Sequence, residues 1–221
     1  MTPPPMSTAR VVCRKPCRGL VLLSHQTGKY HVLINPVTQS VRTFTHGGDG
    51  HGCAGLGYDE SKEEHVMVRL SYASSSQPSD EAQGGHVDME GSVWPLRDLR
   101  PRKLPCRPPM PVAVDVPPVH VGGKMYWTAL AAAGTVHYPA VLVAFDVRAE
   151  TFEVVPGPAL LDVADDGDRM ILTELAGNLC AVVLSAATET MTVWRSKKNV
   201  DGYWTREHVI ELEQWPEPRS R

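Results

Sequence analysis

The sequence predicts an all-β domain, an irregular or partial β-propeller (kelch-like) built from antiparallel meander sheets. Short runs of β-branched and other apolar residues alternate with turn residues along most of the 221-residue chain. Glycine (18) and proline (19) are spread along the chain rather than packed into one tract, as expected when many turns separate short elements. No long segment has the apolar period of an amphipathic helix. Short turns join antiparallel neighbours, so these runs predict meanders.

The first three strands are predicted between residues 19 and 44. Residues 19–23 (GLVLL) form a β-type run, and Thr27-Gly28 supplies a turn. Residues 30–34 (YHVLI) alternate and are rich in branched side chains, which is typical of a second strand. A turn at Asn35-Pro36 then leads to a third strand at residues 41–44.

The same pattern continues to the C-terminal part of the chain. Residues 66–70 (VMVRL) predict a strand after a turn at Tyr58-Asp59. Residues 119–127 predict a hairpin that pivots on Gly122-Gly123. The remaining predicted strands are residues 141–145, 151–155, 179–184, 191–194 and 204–212.

A weak internal repeat supports the propeller. An apolar or aromatic residue precedes Asn or Asp at Asn35, Asp59 and Asp146. Six residues later the chain is again at the start of a predicted strand, at Val41, His65 and Phe152. An Asn or Asp side chain can cap a turn by accepting a hydrogen bond from the backbone two residues on. The repeat therefore predicts a strand, an Asx turn and a strand, and β-units of this size are typical of propeller blades.

Two irregular segments are predicted to connect the blades. Residues 74–91 are polar and predict a long exposed loop, and residues 101–118 are irregular and dense in proline. The predicted organisation is a flexible N-terminal lead (1–16), one folded domain (17–215) and a flexible C-terminal tail (216–221).

The cysteines and the net charge indicate in which compartment the protein is located and which classes of partner it binds. The five cysteines are odd in number and lack CxxC spacing, so we expect free thiols in a reducing compartment, and the N-terminus lacks the apolar run of a signal peptide. These features predict a cytoplasmic or nuclear protein. The net charge of -3 favours neither nucleic acid nor an anionic membrane as a partner.

One apolar stretch invites comparison with a membrane span. Residues 125–145 carry no charge if His137 is neutral, and that length could cross a bilayer. Gly134, Thr135 and Pro139 interrupt the stretch near its middle, and two strands joined by a loop are favoured.

The histidine- and glycine-rich segment around residue 50 matches two binding patterns only superficially. Residues 50–55 (GHGCAG) have the spacing of a dinucleotide-binding loop, but no strand–loop–helix context accompanies them, and a glycine loop is favoured. His46, His51 and Cys53 could bind zinc only with a fourth ligand at suitable spacing, and the sequence offers none.

The remaining candidate binding residues are better explained as parts of loops, the core or a linker. Asp162, Asp165, Asp166 and Asp168 fit no register of an EF-hand loop and predict a solvated loop. Trp127, Trp194 and Trp204 are expected to pack between sheets rather than to recognise a partner, whereas Trp94 is harder to place. Residues 97–107 are basic but interleaved with proline, which favours an exposed linker over a nucleic-acid surface. We assign no catalytic, cofactor-binding or metal-binding residue, and the partner-binding residues are unknown at this point.

An ordered set of motifs resembles the F-box-associated domain of plant F-box proteins. Residues 17–23 (CRGLVLL) with 34–38 (INPVT) resemble the opening of that family, and residues 55–59 (GLGYD) with 66–70 resemble its next element. The later motifs are VGGKMYW at 121–127, VAFD at 143–146 with Phe152, LAGNLC at 175–180, VW at 193–194 and Trp204. Their order and approximate spacing agree from Cys17 to Trp215.

The resemblance implies a β-propeller-like domain that recruits target proteins to a cullin–RING (SCF) ubiquitin ligase, with no cofactor and no activity as an enzyme. About sixteen residues precede the first motif, and they lack the helical pattern of an F-box, so direct docking to a Skp-type adaptor is not expected. Two alternatives stay open. One is a propeller hydrolase that acts on a glycan or a small ester, with carboxylates or histidines in a central pocket. The other is a truncated remnant without function.

Overall fold

The protein folds entirely into antiparallel β-sheets. A computed structural model describes residues 9–11, 15–25, 30–45, 52–72, 88–98, 100–130, 141–159, 169–185, 187–197 and 203–212. Within these ranges the chain forms sixteen strands and no α-helix. The predicted all-β class is therefore confirmed.

The strands form four sheets of four, each a meander, which we number as blades in chain order. The first blade contains β1 (Ala9–Val11), β2 (Val21–His25), β3 (Tyr30–Asn35) and β4 (Ser40–Thr45). The second contains β5 (Gly52–Asp59), β6 (Glu64–Tyr72), β7 (Met89–Pro95) and β8 (Arg102–Lys103). The third contains β9 (Val119–Val121), β10 (Lys124–Thr128), β11 (Val141–Asp146) and β12 (Thr151–Pro156). The fourth contains β13 (Arg169–Leu175), β14 (Asn178–Ser185), β15 (Thr190–Ser196) and β16 (Trp204–Glu211).

The blades pack on one another in series, because each sheet has an apolar face that must be buried. One buried cluster joins the first and second blades, and it includes Leu22, Phe44 and Met67. A second cluster, centred on Trp127 and Phe145, joins the second and third blades. A third joins the third and fourth blades. Among the described residues no buried cluster joins the fourth blade to the first, so the sheets form a partial propeller, as the sequence predicted.

Most predicted strands are present within two residues of their expected ends, and the hairpin at Gly122-Gly123 is confirmed. Both of those glycines have a left-handed backbone, with φ of +58° and +81°. The predicted turn at Thr27-Gly28 lies outside the described residues. The two ends of the apolar stretch 125–145 are neighbouring antiparallel strands, β10 and β11, and no helix among the described residues is long and apolar enough to span a membrane.

Several local predictions were wrong. Residues 52–55, interpreted as part of a glycine loop, begin β5. The segment 74–91 was expected to be a loop that connects two blades, but it lies between β6 and β7 of the same blade, and Met89 to Gly91 belong to β7. Trp94 is buried in the same strand. Strand β13 was not predicted. Strand β1 lies within the range 1–16 that was predicted to be a flexible lead. Sheet pairing in the folded chain outweighs the weak local preference of these glycine-rich and polar segments.

The proline-dense segment 101–118 connects the second and third blades as predicted, and parts of it are buried. It contains the two-residue strand β8, and the Leu104 N–H donates to the Gly91 carbonyl oxygen at 2.8 Å. Val112 is completely buried, and the Ala113 N–H donates to the Thr128 carbonyl oxygen at 2.9 Å. The segment therefore closes the joint between these two blades.

The predicted Asx repeat is confirmed in three blades. The Oδ1 atom of Asn35 accepts hydrogen bonds from the backbone N–H groups of Val37 and Thr38, at 3.0 and 3.2 Å. Oδ1 of Asp59 accepts from the N–H groups two and three residues on, at 2.9 and 3.2 Å. Asp146 does the same, at 2.9 and 2.8 Å. Four residues after each cap the backbone is left-handed, at Gln39, Glu63 and Glu150.

Asp59 makes one of these turns sensitive to acid. Burial alone would raise the pKa of its carboxyl group, but hydrogen bonds from Ser61 and Lys62 outweigh that effect and lower the pKa to about 2. A pKa lowered by folding stabilises the protein above the pKa of the unfolded chain, and this stabilisation is lost as the pH falls from about 4 to 2. The shift corresponds to about 1–2 kcal/mol, because water screens part of the charge of Lys62, whose side chain is 54% exposed.

Asp59→Asn is therefore expected to remove about 1–2 kcal/mol of stability at pH 7 and to flatten the loss between pH 4 and 2. Urea unfolding at several pH values measures both effects. Asn35→Asp is the matched control, since it places a carboxylate at the equivalent position of the first blade without the Ser61 hydroxyl and Lys62 partners. An unchanged acid profile in Asp59→Asn would contradict this assignment.

Candidate functional site

A cavity of about 200 Å³ lies where the inner edges of the four blades converge. Strands β5, β9 and β13 are the inner edge strands of the second, third and fourth blades, and they contact one another across the blade joints. The residues that enter β2 complete the wall from the first blade. The lining consists of Lys15, Pro16, Cys17, Arg18, Gly55, Leu56, Pro118, Val119, His120, Met125, Thr173 and Glu174.

Glycines in β5 allow the second and third blades to approach closely at this cavity. A Cβ atom on Gly55 would lie 2.7 Å from Cγ of Pro118 and 2.8 Å from Sδ of Met125. A Cβ atom on Gly57 would lie 3.1 Å from the ring of His120. Real side chains do not tolerate the shorter of these distances without a shift of their neighbours. The glycines therefore serve the packing of strand against strand and not the binding of a phosphate.

His120 connects three blades at the cavity wall. Its Nε2 atom accepts a hydrogen bond from the Tyr58 backbone N–H, 3.3 Å away. Because Nε2 is the acceptor, the neutral ring carries its proton on Nδ1, which lies 4.0 Å from Sγ of Cys17. His120 belongs to the third blade, Tyr58 to the second, and Cys17 leads into the first.

His65 adds a second connection between the first two blades. Its Nε2 atom lies 3.1 Å from the carbonyl oxygen of Cys17 and donates a hydrogen bond to it. The ring also packs edge-on against Tyr58, with 5.0 Å between the centroids. We refer to Cys17, Tyr58, His65 and His120 together as the histidine junction. It fixes the segment that enters β2 against the inner strands of its neighbours.

The protonation states of Cys17, His65 and His120 fit a structural role for the histidine junction and not a catalytic one. Burial raises the pKa of the Cys17 thiol to about 11, although the charge of Arg18 opposes this, so the thiol is protonated near neutral pH. Burial lowers the pKa of His120, and the charges of Arg18 and His65 lower it further. Burial and Arg18 also lower the pKa of His65, against the effect of its hydrogen bond to Cys17. A neutral His120 that donates toward the sulfur cannot accept the thiol proton, so this pair lacks the thiolate that nucleophilic catalysis requires.

At the mouth of the cavity an arginine is held in a fixed orientation. The guanidinium of Arg18 lies 3.9 Å from the centroid of the Tyr58 ring, and its NH2 atom is 2.9 Å from Oε1 of Glu60. The side chains of Arg18 and Glu60 are 56% and 79% exposed. Arginine and tyrosine are the residues most often found as energetic anchors of protein interfaces. A stacked arginine loses less side-chain entropy when a partner binds, because its orientation is already restricted.

An ion pair in the cavity lining connects the fourth blade to the segment that enters the first. The Lys15 ammonium contacts the Glu174 carboxylate, which also accepts a hydrogen bond from the Gly177 N–H. These two donors lower the pKa of Glu174. The carboxylate is therefore ionised and already bound, which leaves it unsuited to act as a general acid.

The candidate residues from the sequence do not assemble into a chemical site. Cys53 is buried, and its thiol pKa is raised to about 12, chiefly by burial. His46, His51 and the aspartates at 162, 165, 166 and 168 lie outside the described residues. Within the described ranges no group of three or more histidine, cysteine or acidic residues is placed to hold a metal ion.

The predicted tryptophans pack mainly in the core. Trp127 is completely buried, and Trp204 is 9% exposed with its Nε1–H donating to the Pro156 carbonyl oxygen at 2.9 Å. Trp194 is partly buried against the cluster between the third and fourth blades. No sequence motif predicted a role at this cavity for Arg18, His65 or His120. Each of them lies within or next to an ordinary strand motif, which gives no indication of a binding site.

Comparison with protein families gives a match that covers nearly the whole chain. The model described as "F-box associated beta propeller domain" matches residues 5–213. Among curated proteins, "Putative F-box protein At1g12855" of Arabidopsis thaliana is 29% identical over 152 residues, which cover 67% of this chain and 30% of that protein. "F-box protein At5g10340" of the same plant is 23% identical over 219 residues, which cover 91% of this chain and 46% of that protein.

The chain spans less than half the length of the curated relatives it matches. Among solved structures, the β-propeller domain of Cps50 (Swd1) from Myceliophteria thermophila aligns with a TM-score of 0.41 and 10% identity, over 91% of this chain and 60% of that one.

Proposed function

Since the chain belongs to the family of F-box-associated β-propeller domains, we propose that it binds a target protein at the mouth of the central cavity. Domains of this family are in general protein-interaction modules without catalytic chemistry. The exposed, pre-oriented Arg18 supports binding at this place. It stands on Tyr58 beside a small cavity whose walls are fixed by the histidine junction.

The finer part of the proposal concerns the role of this binding. The bound protein becomes the substrate of an SCF ubiquitin ligase in the cytoplasm or nucleus, and other subunits carry out the transfer of ubiquitin. The named F-box proteins among the relatives support this role. Target binding requires only the propeller, whereas delivery to the ligase requires a link to a Skp-type adaptor.

The alternative function, a hydrolase, requires a central pocket with catalytic groups. The cavity has the expected position, but its side chains are not in a state suited to catalysis. The cavity brings together a cysteine, a histidine and a glutamate, which is the kind of cluster such an enzyme would need. The thiol is protonated, the histidine donates toward it, and the glutamate is bound by Lys15. No observation on the described residues favours hydrolysis over binding.

Affinity purification with the full chain tests the binding proposal. We expect at least one protein from a plant extract to be retained by the wild type and lost with Arg18→Glu, and the same protein, once purified, to bind the wild type directly in calorimetry. Arg18→Glu is expected to weaken that binding by roughly tenfold or more, the effect of losing an interface anchor. Arg206→Glu, an exposed arginine in β16, is the matched control and should bind normally.

Two results would count against the proposal. One is a purified candidate that binds the wild type and Arg18→Glu equally well. The other is the absence of any directly binding protein when both variants show the circular dichroism of the wild type. A separate pull-down with purified Skp-type adaptor examines the link to the ligase, and direct binding of the adaptor to this chain would show that the expectation about docking was wrong.

A further inference from the structure

The outer edges of the four sheets differ in how well they are protected against pairing with another strand. The outer strands are β4, β8, β12 and β16. An edge strand presents unpaired backbone N–H and C=O groups, and proteins usually block such edges with charges, proline, bulges or very short strands. The comparison therefore identifies which edge is open to a partner.

Three of the four edges carry such protection. Strand β8 has only two residues, Arg102 and Lys103, and both are charged. Strand β12 includes Glu153 and ends at Pro156. Strand β16 carries three charged residues, Arg206, Glu207 and Glu211, and its pairing with β15 has a register shift at Val193/Trp194.

Strand β4 has the least protection of the four. Its sequence, SVRTFT, contains one charged residue and no proline, and it pairs with β3 over six residues without a register shift. All of its side chains except that of Phe44 are exposed, and Val41 is 58% exposed. Among the described strands none pairs with its outer edge.

The two faces of β4 differ in character. Val41 pairs with Ile34, which pairs with Val21, so these three apolar residues share the face that points away from the second blade. Arg42 pairs with Leu33 on the face toward the second blade. A strand added to this edge would alternate in the same way, with every second side chain on each face.

A groove of about 330 Å³ runs beside β4 on the face toward the second blade. Leu33 and Leu96 supply apolar surface, and Arg42 lies on the β4 wall. The guanidinium of Arg42 has no ion-pair partner within the described part of the chain. Glu63 and Glu64 lie on the opposite wall, and the Arg97 backbone N–H donates to the Glu64 carboxylate at 3.0 Å. An acidic group is therefore favoured at Arg42 and not deeper in the groove.

We propose that β4 binds an extended segment of a partner protein, which adds to the first blade as a fifth strand. Acidic side chains of the segment face Arg42, and the alternating apolar side chains pack against Val41. Main-chain hydrogen bonds provide the affinity of such strand addition, and the alternating side chains provide its specificity. The site is separate from the cavity and does not depend on the function proposed for it.

Fluorescence polarisation with synthetic peptides tests the proposal on the full chain. The probe is a labelled peptide of the sequence VDVEVDV, and the comparison peptides carry lysine at each acidic position or N-methyl groups on alternate backbone amides. We expect saturable binding of the acidic peptide alone, because lysine is repelled by Arg42 and N-methylation removes strand hydrogen bonds. Arg42→Glu should weaken binding of the acidic peptide by about tenfold, as expected when an exposed charge pair becomes repulsive.

Arg18→Glu and Arg206→Glu are the matched controls, and both should bind the acidic peptide like the wild type. Retained target binding in Arg42→Glu, together with lost target binding in Arg18→Glu, would separate this site from the cavity. Equal binding of the N-methylated peptide, no effect of Arg42→Glu, or no binding of the acidic peptide would overturn the proposal. A concentration-dependent dimer in light scattering that Arg42→Glu alters would also overturn it, since a second copy would then occupy this edge.

Discussion

Trp127→Ala is expected to lower the free energy of unfolding by about 3–5 kcal/mol, the cost of deleting a large aromatic side chain from a core. Trp127 is completely buried in β10. It lies in the cluster that joins the second and third blades, which includes Leu70 and Val93 from one side and Phe145 from the other. The change therefore opens a cavity at a joint that both blades share, and neither can collapse into it alone.

The indole N–H of Trp127 is a polar group within this apolar joint. It is buried, and among the described residues it has no hydrogen-bond partner. Trp127→Phe is expected to cost less than alanine, since it preserves an aromatic ring but removes the N–H and part of the volume. Alanine and phenylalanine variants together separate the packing contribution from the polar one.

Guanidinium unfolding followed by far-ultraviolet circular dichroism measures these effects. Tyr203→Ala is the matched control, because Tyr203 is 53% exposed and its removal should change stability by less than about 0.5 kcal/mol. Equal losses for Trp127→Ala and Tyr203→Ala would mean that the joint between the blades does not hold the domain together.

Gly55→Val should destabilise the protein by about 2–3 kcal/mol, within the range found for overpacked cores. The first added carbon already meets Pro118 and Met125 at less than 3 Å, and valine adds two more. The Met125 thioether can move, whereas the Pro118 ring is attached to the backbone that leads into β9. The second and third blades must therefore separate at the inner edge.

A double-mutant cycle isolates the steric cause. Gly55→Ala should cost less in a Pro118→Ala background than in the wild type, because removal of the proline Cγ relieves the closest contact. Denaturant unfolding of the four proteins gives the coupling energy. Additive costs would exclude the contact with Pro118 as the reason for glycine at this position.

Local sequence patterns were sufficient to predict a turn where one or two residues stabilise it. Asn35, Asp59 and Asp146 predicted turns that the structure contains, since an Asx side chain caps a turn through bonds to residues within three positions. Gly122-Gly123 predicted its hairpin for a similar reason, because both positions need a left-handed backbone. In these places the interaction that fixes the structure is also local in the sequence.

Patterns failed where distant strands impose the structure. Residues 52–55 have low strand preference, but they pair with β6 and allow the close approach of the third blade. Met89 to Gly91 look like part of a polar loop, yet they pair with β6 at one end of β7. Gly55 suggested a loop in the sequence. The structure explains this glycine by its close contact with Pro118, which is more than sixty residues away in the chain.

The same distinction applies to the candidate sites. His120, Tyr58 and Cys17 are ordinary members of three separate motifs, and only the meeting of the blades brings them into contact. The open edge at β4 likewise depends on the order of strands in the first sheet. The sequence by itself determined the all-β class, the Asx turns and the family, because alternating apolar residues and turn caps act over a few positions. The tertiary structure decided the cavity, the protonation of its groups and the exposed edge, because burial and contact between blades depend on residues far apart in the chain.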